Sequence, residues 1–155
     1  MDFHPLLVHF PIALFITYAF VELCSTTSLR QKEWWLKLRL FLVWAGVAAA
    51  IPTIAAGLMA EDGALARGIP QNVIEMHETF ATVGAGVFLF LGLVRALEIK
   101  HKFPLLVRYF GNRAVSSIFA ILGIVCITIT GGLGAYMVFG PDVDPFVRFI
   151  ANLVL

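Results

Sequence analysis

Histidines at the ends of long apolar stretches are the residues of this sequence best suited to chemistry. The chain opens MDFHPLLVHFPIALF, which places His4 and His9 at the start of one apolar stretch, and His77 lies near the start of another. Titratable side chains are costly inside a membrane, so they commonly mark functional sites. Imidazole also ligates haem iron and other transition metals. The sequence therefore directs attention to what positions these rings.

The composition is that of a membrane protein. Of the 155 residues, 60% are hydrophobic and 14% charged, whereas soluble proteins average about half apolar and a quarter charged. A helix needs about 20 apolar residues to cross a bilayer. The sequence predicts an all-α integral-membrane domain over residues 1–155, an up-down-up-down four-helix bundle with helices at about 5–27, 37–60, 73–99 and 114–139.

The placement of charge predicts the orientation. Basic residues dominate the first and third connections, whereas the second carries Glu61 and Asp62 against Arg67; the basic residues are Arg30, Lys32, Lys37, Arg39, Lys100, Lys102, Arg108 and Arg113. Short basic connections remain in the cytoplasm. We therefore expect a multi-pass protein of the inner, cytoplasmic membrane with both termini on the periplasmic or extracellular side. The first apolar run is long enough to span, so we expect no cleaved signal peptide.

Helix starts predict the depth of two histidines. Pro5 suits a first helical turn, which places His9 about 6 Å inside the first helix. Asn72 followed by Glu75 resembles a capping box, so the third helix is expected to begin at about Val73. His77 then lies about 6 to 8 Å inside the same outer end. His9 and His77 are predicted at matching depth.

Two histidines on diagonal helices could share one iron. In a four-helix bundle the first and third helices lie about 13 Å apart, and two imidazoles with their iron bonds cover that distance. The sequence thus predicts a b-type haem near the outer face, with His9 and His77 as axial ligands. Surrounding residues would shape the slot or hold the ligands: His4, Glu61, Phe10, Phe80, Gly57, Gly131, Gly132 and Tyr136.

Two other interpretations stay open. His4, His9, His77 and Glu61 form a set of the kind that binds zinc, copper or non-haem iron. His4 and His9 are about 140° apart around a helix, so this set requires the chain before Pro5 to bend back. The third interpretation is a polar hydrogen-bond network in a cofactor-free structural subunit. No nucleophile and base pair is visible, so we expect an electron carrier or subunit rather than a stand-alone catalyst.

Three further features predict local structure. Glu22 and Arg95 lie near the cytoplasmic ends of parallel helices and are expected to form a structural ion pair. Pro11 lacks an N–H, which leaves the carbonyl of Leu7 without its helical partner and bends the first helix. The last stretch, residues 144–155, is too short to span and is expected to lie in the outer interface or pack against a partner subunit.

Several motifs together resemble one known family. HPLLVHFPIAL, AAGLMAED, the His77 region with Arg95 and GGLGAYMVFGPDV are similar to the bacterial and archaeal four-helix membrane domain of unknown function numbered twenty-two thirty-one, whose signature begins HPxxVHFP. The resemblance covers nearly the whole chain and gives His4, His9, Glu61 or Asp62, His77, Gly131 and Gly132 as matching positions. The tail MVFGPDVDP departs from the more usual glycine-rich tail.

The resemblance also implies a redox setting. Members of that family occur fused or adjacent to Rieske iron–sulfur or cytochrome c domains. We therefore expect a haem-binding electron-transfer protein or a subunit of a redox complex, with partners of the cytochrome c or Rieske type. Homo- or hetero-oligomers fit this reading, the lipid bilayer is a partner throughout, and no nucleic acid is expected.

Overall fold

The protein is all-α. The computed structural model describes residues 4–155, with side chains from Leu6 onward. No strand occurs within these residues, and the helices follow in the order α1 (His4–Leu7), α2 (His9–Leu23), α3 (Thr27–Arg30), α4 (Glu33–Ala66), α5 (Gln71–Ile99), α6 (Pro104–Phe110), α7 (Arg113–Phe139) and α8 (Pro145–Val154).

Three helices are long and apolar enough to cross a membrane. Within the described residues these are α4, α5 and α7, with 34, 29 and 27 residues, and a span requires about 20. The predicted first span at 5–27 is instead divided, and its longer part, α2, has 15 residues. The structure thus supports a membrane protein with three evident spanning helices.

The division between α1 and α2 follows from Pro11. Because Pro11 has no N–H, the carbonyl of Leu7 cannot receive the usual helical bond. The hydroxyl of Thr53 on α4 lies 3.3 Å from that carbonyl oxygen and 2.9 Å from the carbonyl oxygen of Ala49 on its own helix, so its one hydrogen is shared between the two. The helical bonding resumes one residue later, where Ile12 N donates to Val8 O at 3.3 Å. The predicted gap in helical bonding at Leu7 is confirmed, and a hydroxyl of a neighbouring helix lies close to its carbonyl.

Packing places α2 and α5 each between α4 and α7. Phe15 on α2 and Phe88 on α5 stack across the centre with ring centroids 4.3 Å apart. Glycines make this possible, since a Cβ at Gly46 would lie 2.6 Å from the Phe15 ring and one at Gly123 would lie 2.5 Å from the Phe88 ring. The middle of the protein is therefore filled by aromatic side chains.

Helix α4 is longer than predicted at both ends. It begins at Glu33 rather than Lys37, with a surface ion pair of 2.7 Å between Lys37 and Glu33 in its first turns. It ends at Ala66 because Gly68 adopts a left-handed conformation with φ +80°. Ile69 N then bonds Ala64 O and Gly68 N bonds Leu65 O, the pattern of a Schellman motif. Glu61 consequently lies within the helix and does not close it.

Helix α8 packs against its own chain. Asp144 accepts hydrogen bonds from Phe146 N at 2.7 Å and Val147 N at 2.9 Å and so caps the helix. Val147 and Ile150 are buried, and Ile150 touches α7 so closely that a Cβ at Gly132 would lie 2.9 Å from it. The opposite face exposes apolar side chains. The segment predicted as interfacial or partner-bound therefore has one face on α7 and one face open.

Candidate functional site

His77 is the histidine that the structure seats most firmly. The predicted cap at Asn72 is wrong, because α5 begins at Gln71 after Pro70 and the Gln71 side chain donates to Glu75 at 2.7 Å. His77 then lies half-buried about 9 Å along the helix. Its Nδ1 is 3.0 Å from the carbonyl oxygen of Thr130 on α7. The ring is thus directed toward α7.

This contact fixes the protonation of the ring. A carbonyl oxygen can only accept a hydrogen bond, so Nδ1 of His77 carries the proton and donates to Thr130 O. In the neutral form of the ring the lone pair is then on Nε2. The Cε1 atom of His77 would be 3.4 Å from a Cβ at Gly134, so the glycine permits the ring to lie close to the α7 backbone. Nε2 is chemically suited to accept a proton or to ligate a metal.

His9 is oriented differently from His77. It is exposed, whereas Pro11 and Phe15 on the same helix are buried. At about 100° per residue, His9 lies about 200° from Pro11 around the helix axis. Its ring therefore faces away from the side of α2 on which Pro11 packs. The side chain of His4 lies outside the described residues.

The remaining predicted site residues divide between two environments. Phe80 and Tyr136 pack against an outer apolar cluster built on Val73, Ile129 and Leu133, whereas Phe10 is 63% exposed on α2. Glu61 and Gly57 are half-buried in α4. Among the described residues, no group of three or more histidine, cysteine, aspartate or glutamate side chains is placed to hold a metal ion.

The two adjacent glycines of α7 serve different purposes. Gly132 lies against Ile150 of α8, so its missing side chain makes room for that helix. Gly131 is exposed and has open space where a Cβ would stand. It follows Thr130, whose carbonyl holds His77. Of these two glycines, Gly131 is therefore the one that could admit a flat group to the backbone.

The opposite end of the protein contains a buried ion network. Glu22 at the end of α2 is fully buried, as are Arg39 on α4 and Arg95 on α5. Arg39 Nη1 is 3.2 Å from Glu22 Oε2, and Arg95 Nη2 is 3.5 Å from Oε1. Arg30 also pairs with Glu22. The hydroxyl of Ser116 on α7 donates to Glu22 Oε1 at 2.7 Å. The predicted Glu22 and Arg95 ion pair is confirmed as part of a larger network.

A second carboxylate completes the network. Glu98 Oε2 is 2.6 Å from Arg95 Nη1, and Glu98 Oε1 is 3.9 Å from Arg39 Nη2. Arg30 Nη1 donates to Gly111 O at 2.9 Å. Burial lowers the pKa of the Arg30 guanidinium, an effect that Glu22 opposes, and the group stays protonated at neutral pH. Three guanidinium groups thus face two carboxylates, which leaves the network positively charged.

Sequence reasoning missed Arg39 because it was counted among the basic residues of a connection. The sequence does not distinguish it, because exposed positions of this helix such as Phe41 and Trp44 are equally apolar. The structure places Arg39 on one face with Leu42, Val43, Gly46 and Ala50, at intervals of three and four residues, and all of these are buried. That spacing places Arg39 on the packed face of the helix. The network joins α2, α4, α5 and α7 and so holds these helices together.

A model of a known protein family matches most of this chain. The model of DUF2231, described as a predicted membrane protein, matches residues 1–144. The chain belongs to this family. No curated protein and no solved structure matches it. The match in this DUF2231 chain ends at Asp144, directly before α8, so it includes His77, the ion network and the three evident spanning helices.

Proposed function

We propose that this DUF2231 protein is a membrane-embedded electron-transfer protein or redox subunit that holds a b-type haem near its outer end. The observation that carries the proposal is the hydrogen bond of 3.0 Å from His77 Nδ1 to Thr130 O. Histidines that ligate metals usually donate their other ring N–H to a carbonyl or carboxylate, which orients the ring and raises the basicity of the ligating nitrogen. His77 has that arrangement.

The proposal includes a membrane topology. Residues 4–23, which contain α1 and α2, would cover about 30 Å as one nearly continuous helix and thereby act as the fourth span. The basic residues around α3 and α6 favour a cytoplasmic position for both connections. The termini, His77 and α8 would then lie on the outer side of the cytoplasmic membrane, and the ion network would lie at the cytoplasmic side.

The packing of the helices limits where we propose such a group. The centre between α2 and α5 is occupied by the stacked rings of Phe15 and Phe88, so it does not fit a haem. The open space at Gly131 and the ring of His77 both belong to the outer part of α5 and α7. We therefore place the site on that side, with His77 as ligand and Phe80 and Gly131 nearby, and we assign no ligand role to His9 in the arrangement described.

A bound haem would supply reversible one-electron oxidation and reduction of its iron. The residues of this chain would orient the ligating ring through Thr130 and restrict water through the outer apolar cluster. Partners of the cytochrome c or Rieske type, which the resemblance implies, would exchange electrons from the outer side. The network at the other end would hold the helices without taking part in that exchange.

An absorption spectrum of the purified protein in detergent tests this proposal. We expect a Soret band and weaker visible bands that change on reduction with dithionite. His77→Ala should abolish them, whereas His101→Ala, which changes an exposed ring in a basic connection, should leave them unchanged. His9→Ala should also retain the spectrum, and its loss in that variant would return the second ligand to His9.

Two other results would replace the proposal. A colourless protein with stoichiometric copper, zinc or iron that depends on His77 would identify a non-haem metal protein. A colourless protein free of metal, prepared from membranes of cells supplied with haem precursor and metals, would identify a cofactor-free structural subunit. Either result would overturn haem binding without affecting the family assignment.

A further inference from the structure

A groove runs along the exposed face of α4, away from both the histidine site and the packed face of the helix. Its volume is about 470 Å³, and it is lined by Lys37, Leu40, Phe41, Trp44 and Ala45. These positions recur at intervals of three and four residues, so they form one face of the helix. Phe41 is 67% exposed and Trp44 is 36% exposed. We refer to this surface as the α4 groove.

The polarity of the α4 groove changes along its length. Lys37 lies about one turn from the start of α4 at Glu33, and Ala45 lies about 12 Å further along the axis. The end at Lys37 is therefore charged and near the membrane surface, while the rest is apolar and at the depth of acyl chains. A charged head above an apolar groove matches the form of a phospholipid.

The charged end of the groove is surrounded by further positive charge. A Cβ at Gly92 would lie 3.4 Å from Val43 and 3.5 Å from Trp44, and Glu98 on the same helix pairs with Arg39. This antiparallel register brings the end of α5, where Lys100 is exposed, to the level of Lys37.

The buried ion network adds to this charge. Arg39 is two residues beyond Lys37 on the other face of α4, and the network to which it belongs has more guanidinium groups than carboxylates. The carboxylate of Glu33 opposes it through its 2.7 Å ion pair with Lys37. A lysine ammonium has three donors, so Lys37 can bind a phosphate while it keeps that pair. The sum of these charges remains positive.

We propose that the α4 groove binds a phospholipid whose headgroup carries a net negative charge, in the leaflet that borders the basic connections. Its phosphate would contact Lys37, Lys100 would contribute to the attraction at the same level, and one acyl chain would lie along Leu40, Phe41 and Trp44. Basic pockets beside membrane helices attract anionic headgroups. The proposal does not depend on haem binding.

Quenching of Trp44 by brominated lipid tests the site. The full chain is reconstituted into vesicles of equal phosphatidylcholine and phosphatidylglycerol content, with bromine on the acyl chains of one lipid or the other. The Trp44 signal is the difference between the wild type and Trp44→Phe, because Trp34 and Trp35 also fluoresce. We expect Trp44 to be quenched about twofold more strongly when the bromine is on phosphatidylglycerol.

Charge variants identify the headgroup contact. Lys37→Gln should remove the preference for phosphatidylglycerol, so that the two brominated lipids quench Trp44 equally, and Lys37→Arg should preserve it. Arg113→Gln removes the same charge from the start of α7, which is also exposed, and should leave the preference unchanged. All variants must elute as the wild type does in detergent.

Three results would overturn the proposal. Equal quenching by the two brominated lipids would mean that the groove does not select headgroup charge. A preference that survives Lys37→Gln would exclude Lys37 as the contact. A preference lost equally in Arg113→Gln would indicate a general attraction of the basic surface rather than a site on α4.

Discussion

Replacing Glu22 by glutamine should destabilise the protein by several kilocalories per mole. The substitution keeps the volume and one carbonyl oxygen but removes the charge that faces Arg30, Arg39 and Arg95. Glu98 would remain as the carboxylate of the network, at 3.9 Å from Arg39 and a quarter exposed. Removing one partner of a buried ion pair costs about 3 to 5 kcal/mol, because the other charge is left buried without compensation.

Thermal unfolding in detergent measures this cost. For a chain of this size, such a loss lowers Tm by roughly 10 °C, which far-UV circular dichroism and loss of monodisperse elution can both follow. Glu33→Gln is the matched control, since its carboxylate pairs with Lys37 but is 81% exposed, and exposed pairs contribute little. That control should melt with the wild type.

A second variant separates charge from shape. Glu22→Gln combined with Arg39→Gln removes one buried cation together with the carboxylate, so it should be less destabilised than Glu22→Gln alone. The network would not hold the helices together if Glu22→Gln melted with the wild type. The same would follow if the double variant lost more stability than the two single variants lose in sum.

The remaining predictions concern close contacts of helices. Gly123→Ala should cost about 1 to 3 kcal/mol, because its Cβ would overlap the Phe88 ring; Gly86→Ala, which has open space, is the control in the same melting assay. Gly132→Ala should loosen α8 by crowding Ile150, seen as faster amide hydrogen exchange in residues 145–154, whereas Gly131→Ala should not; equal exchange in both would disprove the close packing. Thr53→Val should destabilise by about 1 kcal/mol, because the hydroxyl contacts with the carbonyls of Ala49 and Leu7 are both lost, and an unchanged Tm would show that neither contact contributes to stability.

The long helices could be predicted because their determinant is local. Continuous apolar sequence marks α4, α5 and α7 close to their observed bounds. Gly68 and Gly140, which both have positive φ, follow the ends of α4 and α7. The start of α4 was predicted too late because EWWLK was interpreted as a connection. Its charged residues instead pair across one helical turn, Lys37 with Glu33, and so favour the helix.

The rotation of each helix could not be predicted in the same way. A membrane helix is apolar toward lipid and toward its neighbours alike, so hydrophobic periodicity does not reveal which face is packed. Depth placed His9 and His77 level, but the packing of Phe15 against Phe88 turns His9 to the outside. Arg39 illustrates the converse, because only its partners on other helices distinguish a buried arginine from one at the surface.

The long separation of Glu22 from its partners in the sequence has a consequence for biosynthesis. Arg39 follows Glu22 by 17 residues and Ser116 follows it by 94. Glu22 is therefore synthesised before most of its partners, and burying a charge without partners is unfavourable. Its final position must wait until α5 and the start of α7 have been translated. A chain interrupted before Arg95 would pair Glu22 with Arg30 and Arg39 alone and would lack the contacts that join it to α5 and α7.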